Sequence, residues 1–251
     1  MLRIFKLSLL AALFIAVSPV QAQQTADEIM ANVHQILDHF PSVVAEVDMR
    51  VITDKGERAR QLRLMTKVED ERKQIIAAFR APKDVADVGY ATNIDMRSGA
   101  QKSWVYFPSV GKVRPIKSAG QADSFFGSDF SYSDIAGRRV GQDSYELASE
   151  TAEYFVVAAT PKGKDAAYSK LMYQIAKSNF TVRSILYFDK QGRELKRLSN
   201  VAFQEFEGVP VIALSAMENL QTGSRTELDR GDVQVDVILL DDDFGPEALA
   251  K

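Results

Sequence analysis

Two carboxylates, Asp129 and Asp134, stand close together in a stretch that otherwise holds mostly rings and hydroxyls. It reads Ser124-Phe125-Phe126-Gly127-Ser128-Asp129-Phe130-Ser131-Tyr132-Ser133-Asp134-Ile135. Paired carboxylates are the first candidates for general acid–base chemistry. Such a pair needs a partner base or a metal cluster, and the sequence offers neither beside it. Turn or capping roles are therefore expected for both. The four rings of the stretch, Phe125, Phe126, Phe130 and Tyr132, follow no helical period and only a loose alternation. The segment is too apolar for a solvated linker, so either the protein's own core or a guest must cover it.

Other reactive side chains fit catalysis no better. The chain has no cysteine, so it holds no thiol nucleophile and no disulfide. The two histidines, His34 and His39, fall in one expected helix. Their spacing turns them about 140° apart, away from a shared metal, and solvated helix positions are expected for both. Asp241-Asp242-Asp243 lacks the alternating ligand positions and mid-loop glycine of a calcium loop and reads as a solvated acidic turn. No nucleophile elbow, phosphate-binding glycine loop or H-E-x-x-H motif occurs. A hydrolase of unrecognised type would need a nucleophile–base set that is not visible. No catalytic residue, metal or cofactor is expected.

The elements that must position the aromatic stretch are mostly strands. Thr25 and Glu28 form a capping-box pattern, and Ile29, Val33, Ile36 or Leu37, and Phe40 then recur at helical spacing until Pro41. From Val43 the period becomes two. Val43, Ala45, Val47, Met49 and Val51 share a face, Asp54-Lys55-Gly56 turns the chain, and Leu62, Leu64, Thr66 and Val68 alternate back. Further strands are expected at Lys73–Arg80, Val88–Ile94, Lys102–Phe107 and Lys112–Ile116. After the aromatic stretch they resume at Ser144–Ser149, Tyr154–Thr160, Lys170–Lys177, Val182–Phe188, Arg193–Phe206, Val209–Asn219, Arg225–Leu228 and Val233–Ile238. A short final helix is expected from Pro246 to Leu249. About a dozen short strands with regular turn signals point to a mainly β, antiparallel sandwich or barrel. A sheet of this size tends to curl, and one helix plus loops covers a curled sheet more easily than a flat one.

The ends and the charge set the compartment. Arg3 and Lys6, the apolar run Leu7 to Val17, Pro19 and the small residues before Gln23 read as an export signal over residues 1–22, cleaved between Ala22 and Gln23. Residues 23–251 then form a single β domain. The run is too short to span a bilayer, which takes about 20 apolar residues. A bacterial periplasm fits best, with the mature chain soluble. A formal net charge of −3 argues against nucleic acid as a partner.

Several local patterns also follow one another in order: Phe79-Arg80-Ala81-Pro82, then the frame Lys102-Ser103-Trp104-Val105-Tyr106-Phe107-Pro108. The aromatic stretch and Tyr187-Phe188-Asp189-Lys190-Gln191-Gly192-Arg193 come after them. In these the chain resembles the outer-membrane lipoprotein-sorting protein family, the LolA-like periplasmic carriers. It is most similar to the branch with an F-x-G-S-D-F-S-Y-x-D segment, from about Thr25 to Leu249. The resemblance implies an unclosed antiparallel β-barrel of about 11 strands, with the N-terminal helix and short helices or loops covering a hydrophobic cavity. It implies a non-catalytic carrier that shields a lipid, or the acyl chains of a lipoprotein, on the way to the outer membrane. The lining expected on that reading is Val47, Met49, Val51, Leu62, Leu64, Ile75, Phe79, Tyr90, Trp104 and Tyr106. Phe125, Phe126, Phe130 and Tyr132 would form a mobile cover or rim. A cavity arginine is not fixed by any motif, and Arg50, Arg60 and Arg63 stay equally open. A monomer is expected, with an inner-membrane exporter and an outer-membrane acceptor as possible partners. The alternative is a non-catalytic envelope interaction module working with an exporter of the resistance-nodulation-division type.

Overall fold

The computed structural model describes residues 24–163 and 166–250. The expected export signal and its cleavage point lie outside them. The first element is α1, Ala26–Leu37, and it opens on the expected capping box. The Glu28 amide donates to Thr25 Oγ1 (3.2 Å), and the Thr25 amide donates to the Glu28 carboxylate (2.8 Å). Ile29 and Val33 are buried as their spacing requires, but so are Met30 and His34. The helix therefore sinks deeper than a single apolar stripe implies, and Leu37 is left exposed at its end. His34 is buried rather than solvated, whereas His39 is exposed.

Thirteen strands follow. The first six are β1 Ser42–Thr53, β2 Gly56–Glu69, β3 Arg72–Ala81, β4 Gly89–Asp95, β5 Gln101–Phe107 and β6 Lys112–Ile116. The remaining seven are β7 Asp143–Glu150, β8 Tyr154–Pro161, β9 Lys170–Ala176, β10 Val182–Phe188, β11 Glu194–Phe206, β12 Val209–Asn219 and β13 Arg225–Val235. They form one sheet in the order β6-β5-β4-β3-β2-β1-β13-β12-β11-β10-β9-β8-β7. Every neighbouring pair is antiparallel, and β1 joins the two arms by pairing with both β2 and β13. The two strands expected at Arg225–Leu228 and Val233–Ile238 are a single strand. A register shift between Val44 and Glu46 on β1 accommodates the Gly231-Asp232 step that looked like a break.

The sheet does not close on itself: β6 and β7 are its two edges, at opposite ends of the strand order. The chain must still pass from one to the other, and residues 117–142 make that crossing. The aromatic stretch lies in this connection, which explains why it is irregular yet apolar. The crossing also requires a curled sheet. Phe125 packs against Phe79 on β3, with ring centres 6.0 Å apart. Four residues on, the Asp129 carboxylate accepts from Thr226 Oγ1 on β13 (2.7 Å) and the Asp129 carbonyl from Lys196 Nζ on β11 (2.9 Å). In a flat sheet β3 and β11 would stand about 24 Å apart, five strand spacings. A four-residue segment reaches only about 14 Å.

The inner face holds the main apolar core, to which α1 and the crossing segment both contribute. The outer face carries a smaller cluster, in which Ile76 and Ala91 meet Phe244 and Leu249 of the C-terminal segment. The short helix expected from Pro246 to Leu249 is a 3-10 helix shifted to Ala248–Ala250, and another, Asp241–Asp243, precedes it. The acidic turn is pinned to the sheet, since Asp241 pairs with Lys67 (2.9 Å) and Arg72 (3.1 Å).

Candidate ligand cavity

The crossing segment is held at both ends, and its bonds make it a strap. On one side, Phe125 and Phe126 enter a ring cluster. Phe126 lies 4.9 Å from Phe79 and from Phe125, and 5.9 Å from Phe107. Tyr132 stacks 5.2 Å from Tyr90. Burial pushes the phenols of Tyr90 and Tyr132 up to about 12, so both stay neutral. The bend that seats these rings needs Phe126 at φ 49° and Gly127 at φ 76°, a left-handed pair in which glycine relieves one of the two positions. Arg60 donates to the Phe126 carbonyl and Arg58 to that of Gly127.

On the other side the strap is held by its carboxylates. Asp129 accepts from Ser224 Oγ (2.5 Å) and Thr226 Oγ1 (2.7 Å). Asp134 caps the short helix α2, Tyr132–Ala136, by accepting from the Ser131 amide (2.7 Å). It also accepts from Tyr168 (2.9 Å) and pairs with Lys196 at 2.5 Å, both partners almost fully buried. Both carboxylates anchor the strap, and Lys196 is the unforeseen cation that ties the Asp134 carboxylate and the Asp129 main-chain carbonyl to β11.

Between the strap, α1 and strands β9 to β13 lies a cavity of about 200 Å³. Met30, Val33 and Leu37 line it from α1, Phe130 and Ile135 from the strap, and Leu198 and Leu228 from the sheet. Its polar wall includes His34, Arg138, Tyr173, Asn200, Ser215 and Arg230, together with Ser133, Tyr187 and Asp134, whose carboxylate is paired with Lys196. Two wider surface hollows, of about 740 and about 770 Å³, are rimmed by charged groups such as Lys102, Lys117 and Arg139 or Arg72 and Arg97. An apolar guest gains less there than in the smaller chamber, whose wall is mostly apolar and lies on the core face of the sheet, and the chamber is the candidate site. Among the described residues, no three His, Asp or Glu side chains gather as metal ligands.

The charges around the chamber are unequal. Burial disfavours the Arg138 cation, but the fully buried Asp143 accepts from its Nε (2.7 Å) and from a terminal nitrogen, holding the guanidinium above its usual range. Arg230 has only Ser215 Oγ (2.8 Å), and burial pushes its guanidinium down to about 10. Burial likewise lowers His34, with Asp38 and Asp143 opposing and Lys73 and Arg138 assisting. The buried imidazole takes up its proton less readily than the unfolded one, so the unfolded state binds more protons just below the ordinary value of 6.5. Stability is expected to fall as the pH drops through that window. Urea midpoints between pH 8 and pH 5, above the carboxylate range, should show this slope, and His34→Gln should flatten it. An unchanged slope in the variant would assign it elsewhere.

The structure divides the expected lining. Leu64 lines the chamber. Val47, Met49, Val51, Leu62, Phe79 and Tyr90 are buried on the same face, but Phe125 and its neighbours fill the space over β3 and β4 and leave no room for a guest. Ile75 is buried in β3 away from the chamber. Trp104 and Tyr106 must be corrected: they pack on the outer cluster, because Val105 and Phe107 alternate with them onto the inner face. Of the four strap rings, Phe130 borders the chamber. Arg50 pairs with Glu227, Arg63 with Glu46 (3.8 Å), and Arg60 lies 5.9 Å from the Phe79 ring. None of the three lines the chamber, whereas Arg138 and Arg230 do. Parity could have found Arg230, since Thr226, Leu228 and Arg230 step along one face of β13.

An unclosed antiparallel barrel with an N-terminal helix over an apolar chamber is a LolA-like fold. The chain resembles a domain described as that of a candidate outer membrane lipoprotein-sorting protein from Vibrio parahaemolyticus, with 22% identity, a TM-score of 0.84, and coverage of 90% of this chain and 98% of that one. A DUF1329 family protein from Desulfovibrio piger matches with 23% identity and a TM-score of 0.83, covering 89% and 97% of the two chains. A LolA superfamily protein from Nitrosomonas europaea matches with 22% identity and a TM-score of 0.71, covering 90% and 100%. At these identities the likenesses establish the fold. A family model described as "Uncharacterized protein" (-like) matches residues 71–251, and the chain belongs to that family. No curated protein matches it. No helix among the described residues is long and apolar enough to cross a membrane.

Proposed function

We propose that the protein is a non-catalytic periplasmic carrier that shields a lipid, or an acyl chain of a lipoprotein, during transfer toward the outer membrane. The observation that supports it most is the chamber beneath α1, walled by Met30, Val33, Leu198 and Leu228 inside a LolA-like barrel. An acyl chain in water costs about 0.8 kcal/mol per methylene relative to an apolar site. Crossing an aqueous gap therefore needs a container, and a container needs no reactive group. An inner-membrane exporter would load it and an outer-membrane acceptor would unload it. The protein purified gently from its native host, extracted and analysed by mass spectrometry, should release lipid at near-stoichiometric amounts. Clean extracts, together with failure to bind a fluorescent fatty acid, would end the carrier reading.

One observation favours a second reading. The chamber, at about 200 Å³, is smaller than the roughly 300–1,000 Å³ of ordinary ligand pockets, because the strap rings fill the rest of the inner face. A plugged barrel suits an envelope interaction module that docks on an exporter of the resistance-nodulation-division type. In the extraction experiment it predicts no lipid.

A further inference from the structure

One row of polar side chains crosses the chamber's apolar wall. Asn200 on β11 stands directly opposite Ser215 on β12. Ser215 Oγ in turn accepts from Arg230 Nη1 on β13 at 2.8 Å. All three residues line the chamber, as does His34 from α1. The row is incompletely satisfied. Asn200 Nδ2 donates to the Val182 carbonyl (2.8 Å), which fixes the amide's orientation and leaves Oδ1 buried without a partner. His34 Nε2 is also buried without one. Asn200 is only 5% exposed and His34 7%. Arg230 carries five N–H donors and makes one hydrogen bond, with no carboxylate in ion-pair range among the described residues. Lys196 and Arg138 differ, for Lys196 has Asp134 and Arg138 has Asp143.

Buried donors and acceptors are normally paired. Here a buried acceptor, Asn200 Oδ1, lacks a partner, and a half-buried guanidinium with unused donors lines the same apolar space. A guanidinium fork matches the oxygens of a carboxylate or phosphate, and the bond is strong where water is excluded. The Asn200 oxygen needs a donor, which a hydroxyl beside that anion would supply. We propose that this row seats the head of a single-chain anionic amphiphile, with the anion on Arg230 and an adjacent hydroxyl donating to Asn200 Oδ1. The chain would then run along Leu198, Leu228 and Val33. A volume of about 200 Å³ holds less than one long acyl chain, so the head and the first part of a single chain would fill the chamber and the far end would lie beyond it. The proposal rests on the carrier reading and specifies its cargo: the shared chemistry is an anionic head, and the hydroxyl separates a lysophospholipid from a free fatty acid.

Calorimetric titration of the delipidated mature protein at neutral pH tests it, with oleoyl lysophosphatidate, oleate and uncharged monoolein as probes. Lysophosphatidate should bind one to one and most tightly, oleate next, and monoolein at least about tenfold more weakly than oleate. Arg230→Gln should remove that gap and leave monoolein unchanged. Asn200→Leu should bring lysophosphatidate down to the level of oleate. The wild-type comparison alone decides the matter if a variant fails to fold. Monoolein binding as tightly as oleate would overturn the head site while leaving the carrier reading intact. No binding of any of the three probes would overturn both.

Discussion

Replacing Lys196 with methionine is expected to cost about 3–5 kcal/mol of folding stability, the usual consequence of stranding one partner of a buried ion pair. Lys196 and Asp134 are 6% and 5% exposed at their side chains. Water therefore cannot take over the vacated position. The lysine does more than neutralise one carboxylate. Its ammonium donates to the Asp129 carbonyl at 2.9 Å and to Asp134 at 2.5 Å, so one residue of β11 holds the carboxylate side of the strap at two points. It also sits 5.3 Å from the Tyr168 ring centre and 5.5 Å from that of Tyr187, where the aromatic faces favour a cation. Since whole domains are stable by only about 5–15 kcal/mol, the single variant should show a large drop in its urea midpoint. Removing the carboxylate as well, as Lys196→Met with Asp134→Leu, should recover part of the loss, because no uncompensated charge then remains. A single variant losing less than about 1 kcal/mol would mean that the strap is anchored elsewhere.

The strap also shows where the sequence was legible and where it was not. Capping box, hairpin and strand alternation are local signals, and α1, β1, β2 and most later strands follow them. The aromatic stretch was recognisable as something that must be covered, because no local pattern accounted for its rings. Its position was not recognisable, since it depends on β6 and β7 standing at opposite edges of the sheet. Alternation assigns residues to two faces without saying which faces inward, and a shift of one residue exchanges them. Trp104 and Tyr106 fell on the outer side for that reason. Arg230 was hidden differently. Gly231 and Asp232, the latter at φ 43°, look like the end of a strand, yet a register shift carries the ladder through them and leaves Arg230 facing the chamber. His34 was hidden by the assumption that α1 buries one narrow stripe, whereas Met30 and His34 are buried beside Ile29 and Val33. Parity along β13 marks the face of Arg230, but which residues of the neighbouring strands join it in the polar row depends on long-range register, which local sequence does not carry.

The second large effect is expected at Phe125. Truncation to alanine should cost about 3–5 kcal/mol, the range for deleting a buried phenyl ring. The ring is 1% exposed and has neighbours on every side: Phe79 at 6.0 Å, Tyr90 at 5.7 Å, Phe126 at 4.9 Å and Tyr132 at 5.6 Å. Phe126→Ala should cost less, since that ring is only half-buried and its residue sits at φ 49°. Urea unfolding of the two variants checks the order, and equal losses would contradict it. Phe125 also tests what the strap does for a carrier. If its rings occupy space over β3 and β4 that would otherwise belong to the cavity, removing the most deeply buried one should extend the chamber toward Val47, Met49 and Tyr90. The variant would then be less stable yet accept a longer acyl chain than the native protein. The readout is the chain length at which binding of a fatty-acid series stops increasing. A shift to longer chains in Phe125→Ala, despite its lower midpoint, is the expected result. An unchanged optimum would mean that the site collapses around the missing ring and that the strap limits the cargo only by its position.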